Sequence, residues 1–202
     1  MLAGALALFA LAGAGARHSD LLASFELKTL DWRFRRFPSP PPSDPGLALV
    51  YVDQASLDHF ETKQDVYWPW PRSMYEALLG ICKAGGARAG VFDVLFTSPS
   101  PYAHAEDIAF AKALRGSNTV LAMSTGKGRA HLPIPLLREA AGRLGDAAVA
   151  ADADGVYRRL PMDSTVEGKP VPSLAAAAVL AARQDAALKR APLTDGAHHL
   201  RF

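Results

Sequence analysis

The chain has 202 residues, 50% hydrophobic and 21% charged, enough apolar surface to repay the entropy of folding and to exclude intrinsic disorder. Its 22 Lys and Arg against 20 Asp and Glu leave a net charge of +2, so composition gives no case for nucleic acid, and none is expected as a partner. A lone cysteine, Cys82, excludes an internal disulfide and a cysteine-built metal site, and the length fits one domain with an appendage.

The first sixteen residues, Met1 to Ala16, carry no charged side chain and are followed at once by Arg17, His18, Ser19 and Asp20. At about 1.5 Å of rise per residue they would make roughly 24 Å of helix, short of the roughly 30 Å hydrocarbon core. A cleaved signal would carry a basic region before the apolar run, and none is present. Residues 1–16 are therefore read as a membrane anchor or signal-like segment, with a buried Ala-rich helix as the alternative.

Residues 17–37 predict a membrane-proximal helix. Ser19 can cap it, Leu22, Phe25, Thr29 and Trp32 follow helical spacing, and Arg33, Arg35 and Arg36 suit the negative end of its dipole. Residues 38–46 are a Pro-rich linker. An α/β domain is expected over 47–202.

Within it, the apolar run Leu47 to Val52 reads as a strand buried on both faces and closed by Asp53. Ser73 and Glu76 have the spacing of a capping box, opening a helix whose face is Met74, Leu78, Ile81 and Cys82 and which Gly85 and Gly86 stop. Ala89 to Phe96 is a second buried strand with Asp93 in its middle. A helix follows over Glu106 to Arg115, and then a third strand over Asn118 to Met123. This order implies right-handed crossovers and a parallel sheet covered by helices. Asp154 and Gly155 signal a hairpin, Glu167, Gly168 and Lys169 offer another turn, and Ser173 caps a helix over Leu174 to Leu188. His198 to Phe202 looks like the start of a strand, as in a truncated chain. The fold class is thus α/β, a mainly parallel central sheet with flanking helices, an antiparallel hairpin extension and an N-terminal membrane-proximal helix.

Most chemical motifs fail on spacing. Gly85, Gly86 and Gly90 follow a helix and precede a strand, the reverse of a dinucleotide loop, and Gly126, Lys127 and Gly128 lack the rest of a phosphate-binding loop. If Gly155 held the sixth position of a calcium loop, the first and twelfth would be Ala150 and Pro161, which offer no side-chain ligand. His59, His104 and His131 are scattered, so no metal, cofactor or catalytic residue is assigned. What remains are Asp53, Asp93 and Asp107 near predicted strand ends, where ligands of open parallel sheets bind, with Arg72 as a possible partner of Asp93. Trp68, Pro69, Trp70, Pro71 and Arg72 form a stiff aromatic segment that either plugs the core or lines a ligand site.

In order, Leu30 to Arg35 before a Pro-rich stretch, Val50 to Leu57, Trp68 to Arg72, Phe92 to Phe96, Asp107 to Ala111 and Asp152 to Arg159 resemble the CHASE domain of type two. The resemblance covers roughly Ser19 to Phe202. It implies an extracytoplasmic, non-enzymatic sensory domain of a membrane-anchored adenylate or guanylate cyclase, diguanylate cyclase or histidine kinase, in the periplasm or extracellular space. The expected partners are an unidentified small-molecule or peptide ligand, the membrane through the N-terminal segment, and a second copy in a homodimer. Asp53, Trp68, Trp70, Arg72, Asp93, Asp107, Asp154 and Arg158 are the candidate ligand-binding residues. The rival readings are a metal-assisted hydrolase using Asp53, Asp93 and Asp107, and a purely structural or dimerisation module.

Overall fold

A computed structural model describes residues 20–38, 46–126, 129–184, 190–192 and 198–200. The anchor segment, the Ser19 cap, most of the Pro-rich linker and Lys127 to Gly128 lie outside the described residues. The chain divides into two compact units, Met1–Tyr51 with Ala151–Val156, and Val52–Ala150 with Tyr157–Phe202.

In the first unit α1 spans Asp20–Arg36 and carries Arg33, Arg35 and Arg36 in its last turn, as its sequence requires. Leu47 to Tyr51, expected as a buried strand, is exposed and enters no β-ladder; Tyr51 is 76% exposed. An apolar run becomes a strand only where a neighbouring edge takes its backbone hydrogen bonds, and the described residues present none to it. Asp154 and Gly155 do make a turn: the Gly155 amide donates to the Asp152 carbonyl at 2.9 Å, with Gly155 at φ +80°. No strands flank that turn, so it is a local bend rather than the expected hairpin.

The second unit opens with α2 (Gln54–Gln64), an element the sequence reading did not provide. Asp53 is its N-cap rather than a strand end, accepting from the Ser56 amide. Helix α3 (Arg72–Ala84) starts from Pro71, not from a Ser73 and Glu76 capping box, because the Ser73 hydroxyl is turned to Glu106 instead. Its buried face is Arg72, Tyr75 and Leu79, a row three and four apart, and Ile81, assigned to that face from spacing, is exposed. Strand β1 (Gly90–Phe92) is shorter than the apolar run that contains it. Then come α4 (His104–Leu114), β2 (Thr119–Met123), α5 (Pro135–Ala140) and β3 (Arg143–Asp146).

The three strands pair in the order β1, β2, β3, parallel throughout, with Val91 opposite Val120 and Leu121 opposite Leu144. Central β2 is buried at every position, which is why TVLAM has no polar alternation. One face packs on Tyr75, Leu79, Phe110, Leu114 and Leu137 from the helices; the other meets Ala177 and Ala181. Those alanines belong to α6 (Leu174–Arg183), capped by Ser173, whose hydroxyl accepts from the Ala176 amide at 3.3 Å. A Cβ on Gly145 would stand 2.7 Å from the Leu174 Cα, so glycine in β3 and alanine in α6 are both products of that close approach.

An antiparallel hairpin, β4 (Asp163–Val166) with β5 (Lys169–Pro172), turns at Glu167 and Gly168, both at positive φ. The chain end pairs β6 (Arg190–Pro192) with β7 (His198–Leu200). The structure is α/β with a parallel three-stranded sheet and antiparallel two-stranded additions.

Candidate functional site

The site grows from the loop between α2 and α3. Asp65 ends α2 in the left-handed region, and the chain then runs through Trp68, Pro69, Trp70 and Pro71 into the first turn of α3. Trp70 is buried, its ring 4.8 Å from Phe60 of α2 and 5.8 Å from Trp68. Trp68 remains 49% exposed, and Tyr67 and Tyr102 are exposed beside it, with the Tyr102 hydroxyl donating to the Tyr67 carbonyl at 2.9 Å. Of the two indoles in the aromatic segment, Trp70 fills the core and Trp68 stands at the surface.

Arg72 follows, buried at the start of α3. Its Nε donates to Asp107 Oδ1 at 2.9 Å, its second guanidinium nitrogen to the Ser98 carbonyl at 2.7 Å, and its guanidinium carbon lies 4.7 Å from the centre of the Phe96 ring. Asp107 is fully buried, and its other oxygen accepts from the Ser100 amide at 2.9 Å. Glu106 completes the arrangement, accepting from the Arg72 amide at 2.8 Å, from the Ser100 hydroxyl at 3.0 Å and from the Ser73 hydroxyl at 3.3 Å. Both acids sit in the first turn of α4, where negative charge suits the helix dipole. A buried ion pair needs such completeness, because desolvation of two charges is offset only when their remaining donors and acceptors are met.

Behind this clamp the polar accounting changes. Tyr75 packs among Phe92, Phe96 and Phe110 at centroid distances of 5.0–6.1 Å, and neither its hydroxyl nor Trp70 Nε1 has a hydrogen-bond partner. Burial pushes the Tyr75 phenol up to about 12, the nearby Arg72 charge only partly opposing it.

Of the candidate residues, the structure brings together Trp68, Trp70, Arg72 and Asp107. Asp53 is occupied locally, taking the Ser56 amide at 2.8 Å and hydroxyl at 2.6 Å, and these bonds hold its carboxyl below the ordinary value. Asp93 is not the partner of Arg72; it alternates outward with Val91 and Leu95 while Phe92, Val94 and Phe96 turn inward. Asp154 belongs to the first unit, where it accepts from the Val156 amide at 3.2 Å, and Arg158 is half-buried in the second. Among the described residues no group of three or more His, Cys, Asp or Glu side chains is placed to hold a metal ion.

The sequence reading missed Glu106, Ser73, Ser98 and Ser100. The available signal was the pair of adjacent acids opening a helix after a Ser- and Pro-rich loop; their partner lies 34 and 35 residues upstream, beyond any local pattern. It also missed Asp146 at the end of β3. Burial raises that carboxyl, but the nearby Ser164 hydroxyl and the hydrogen bonds it accepts from Thr125 and Ala148 outweigh burial and leave it below its ordinary value.

The family model of the CHASE2 domain matches residues 5–202. That family consists of extracellular, non-catalytic sensory domains found in cyclases and kinases. No curated protein and no solved structure gives a significant match to the chain.

Proposed function

The chain belongs to the CHASE2 family, and on that premise we propose that it is the extracytoplasmic ligand-sensing part of a membrane-anchored signal-transduction protein whose output is a cyclase or a kinase. The family match over residues 5–202 carries this reading and supports a periplasmic or extracellular location, and the uncharged run Met1 to Ala16 has the composition of an anchor. A ligand changes output only through unequal affinity for two states. The face best suited to receive a small molecule or peptide is the exposed set Tyr67, Trp68 and Tyr102, which offers flat aromatic area next to a fixed frame. The frame is the Arg72 and Asp107 clamp: its charges are spent on each other and on backbone groups, so they hold the face rather than the ligand. The same pairing disfavours the hydrolase reading, because Asp107 is committed to a guanidinium. Pairing into a homodimer is part of the proposal, since such outputs work as pairs.

A thermal-shift screen of the full chain against metals, nucleotides, amines, amino acids and sugars tests the reading. The expected result is a concentration-dependent rise in melting temperature with one class that vanishes in Trp68→Ala. A hit that survives Trp68→Ala moves the ligand off this face, and no shift with any class removes small-molecule sensing.

A further inference from the structure

Helix α1 has an exposed aromatic and basic face that the sensory reading does not use. Phe25 and Trp32 are two turns apart, fall within about 20° of each other around the axis, and are 67% and 60% exposed. Lys28, Arg33, Arg35 and Arg36 all fall within about 80° of that stripe, on both sides of it, whereas Glu26 and Asp31 lie about 100° or more away. The apolar residues Leu27, Leu30 and Phe34 share the opposite side, where Leu27 is buried and Phe34 is exposed but has none of the four cations beside it except at the flank. The aromatic character continues past the helix: the Phe37 ring packs edge-on to Trp32 at 6.1 Å, and the Arg36 guanidinium lies 5.5 Å from the Phe37 centroid.

We propose that this face docks on an anionic phospholipid surface, with Phe25, Trp32 and Phe37 entering the headgroup boundary and the four basic side chains on lipid phosphates. The chemistry is that of helices that lie in the membrane interface, where aromatic rings supply burial and flanking lysine and arginine supply attraction to negative headgroups. Charge decides between a lipid surface and a second copy of the chain. A symmetric helix pair built on the Phe25 and Trp32 stripe would set cations against cations along both flanks, and like charges so placed are repulsive. An anionic surface meets all of them favourably. The uncharged run Met1 to Ala16 ends four residues before α1 begins, so a membrane would be close at hand.

Partition of the full chain between water and vesicles, of phosphatidylcholine alone and of phosphatidylcholine with a quarter phosphatidylglycerol, tests this. Because residues 1–16 carry no charged side chain, their contribution is common to both vesicles and largely drops out of the ratio. Each basic side chain near an anionic surface is worth about fivefold in binding, so the three arginines together are worth roughly a hundredfold. The wild-type ratio should be large, should collapse at high salt, and should fall by about that factor in Arg33→Gln/Arg35→Gln/Arg36→Gln. Trp32 should be quenched by lipids brominated near the headgroup, an effect lost in Trp32→Phe while Trp68 and Trp70 remain. A wild-type ratio near one overturns the proposal, as does a triple variant, folded by circular dichroism, that keeps the ratio. Should the triple variant fail to fold, quenching that is unchanged by Trp32→Phe overturns it on its own. A ratio near one with binding to an acidic protein partner would assign the face to that partner instead.

Discussion

Two neighbouring parts of the second unit solve the burial of polar atoms in opposite ways. At the clamp, Arg72 and Asp107 are charged and buried, and their neighbours Ser98, Ser100 and Glu106 bind each in turn. A few ångströms away, Trp70 and Tyr75 are neutral, equally buried, and leave an N–H and an O–H without partners. The difference shows where the fold can yield. A satisfied network resists rearrangement because every alternative strands a charge, whereas an aromatic cluster with two idle donors gains when a repacking or a ligand offers an acceptor. On the proposed sensing role, in which a ligand selects between two packings, the clamp would be the fixed point and the aromatic cluster the adjustable one.

The strongest way to break this comparison is to remove one half of the clamp. Asp107→Ala leaves the Arg72 guanidinium buried without its carboxylate and should cost about 3–5 kcal/mol of unfolding free energy, on the order of 10 °C in melting temperature for a chain of this size. Arg72→Met with Asp107→Leu removes both charges and should recover much of that loss, because apolar side chains of similar volume carry no desolvation penalty. Urea titration of the two variants checks the pattern. A single variant within about 1 kcal/mol of wild type would end the description of the pair as a fixed point.

A carboxylate at the far end of β3 extends the same logic to pH. Asp146 accepts from the Thr125 hydroxyl and from the amides of Thr125 and Ala148, and its folded-state value is held below the ordinary 3.8. A depressed carboxyl contributes stability that is fully present above the unfolded value and is lost as pH falls through the folded one. Asp146→Asn should therefore lower stability by about 1–2 kcal/mol at neutral pH and flatten the decline below pH 3.8. Stability curves for both proteins down through that range measure it.

Tyr75 tests the adjustable side, with the opposite sign. Its hydroxyl forms no bond, so Tyr75→Phe should be neutral or stabilising by up to about 1 kcal/mol rather than destabilising. Because the folded phenol is raised from 10.0 to about 12, the wild type keeps its full stability below pH 10 and loses it as pH climbs toward 12. Tyr75→Phe should lose that alkaline limb. Thermal melts across this range would expose a hidden hydrogen bond if the variant proved clearly less stable at neutral pH.

The sequence carried the repeating parts of this fold further than its site. Strand β2 was legible because four apolar residues after a threonine, between a helix stop and a loop, read as a short buried strand, and α6 because Ser173 caps an alanine-rich run. Leu47 to Val52 shows the limit of that argument: it has the composition of a strand, but pairing depends on a neighbour that composition does not reveal. Helix α3 starts two residues before the position its Ser73 and Glu76 spacing implies, and its buried face is Arg72, Tyr75 and Leu79 rather than one that includes Ile81. At the site, the residue types were readable and the pairing was not. Arg72 was matched to Asp93, an acid in a predicted strand, whereas the fold delivers Asp107 from the first turn of α4 across 35 residues.

Trp68→Ala should have the smallest effect on stability and the largest consequence for the comparison. The side chain is 49% exposed and its one ring contact, 5.8 Å from Trp70, lies at the edge of the cluster, so truncation should move the unfolding free energy by about 0.5 kcal/mol. Its indole is nevertheless the only one in the second unit open to solvent, and it sits directly on the buried ring whose Nε1 has no partner. A ligand that stacks on Trp68 would reach the adjustable cluster through that contact while leaving the clamp unmoved. Ligand-dependent changes in amide hydrogen exchange should then appear around Phe60, Trp70 and Tyr75 and be absent from Arg72, Ser100 and Asp107, and Trp68→Ala should abolish them at unchanged melting temperature. Protection that rises first at Ser100 and Asp107 would reverse the roles of the two regions and make the clamp the part that responds.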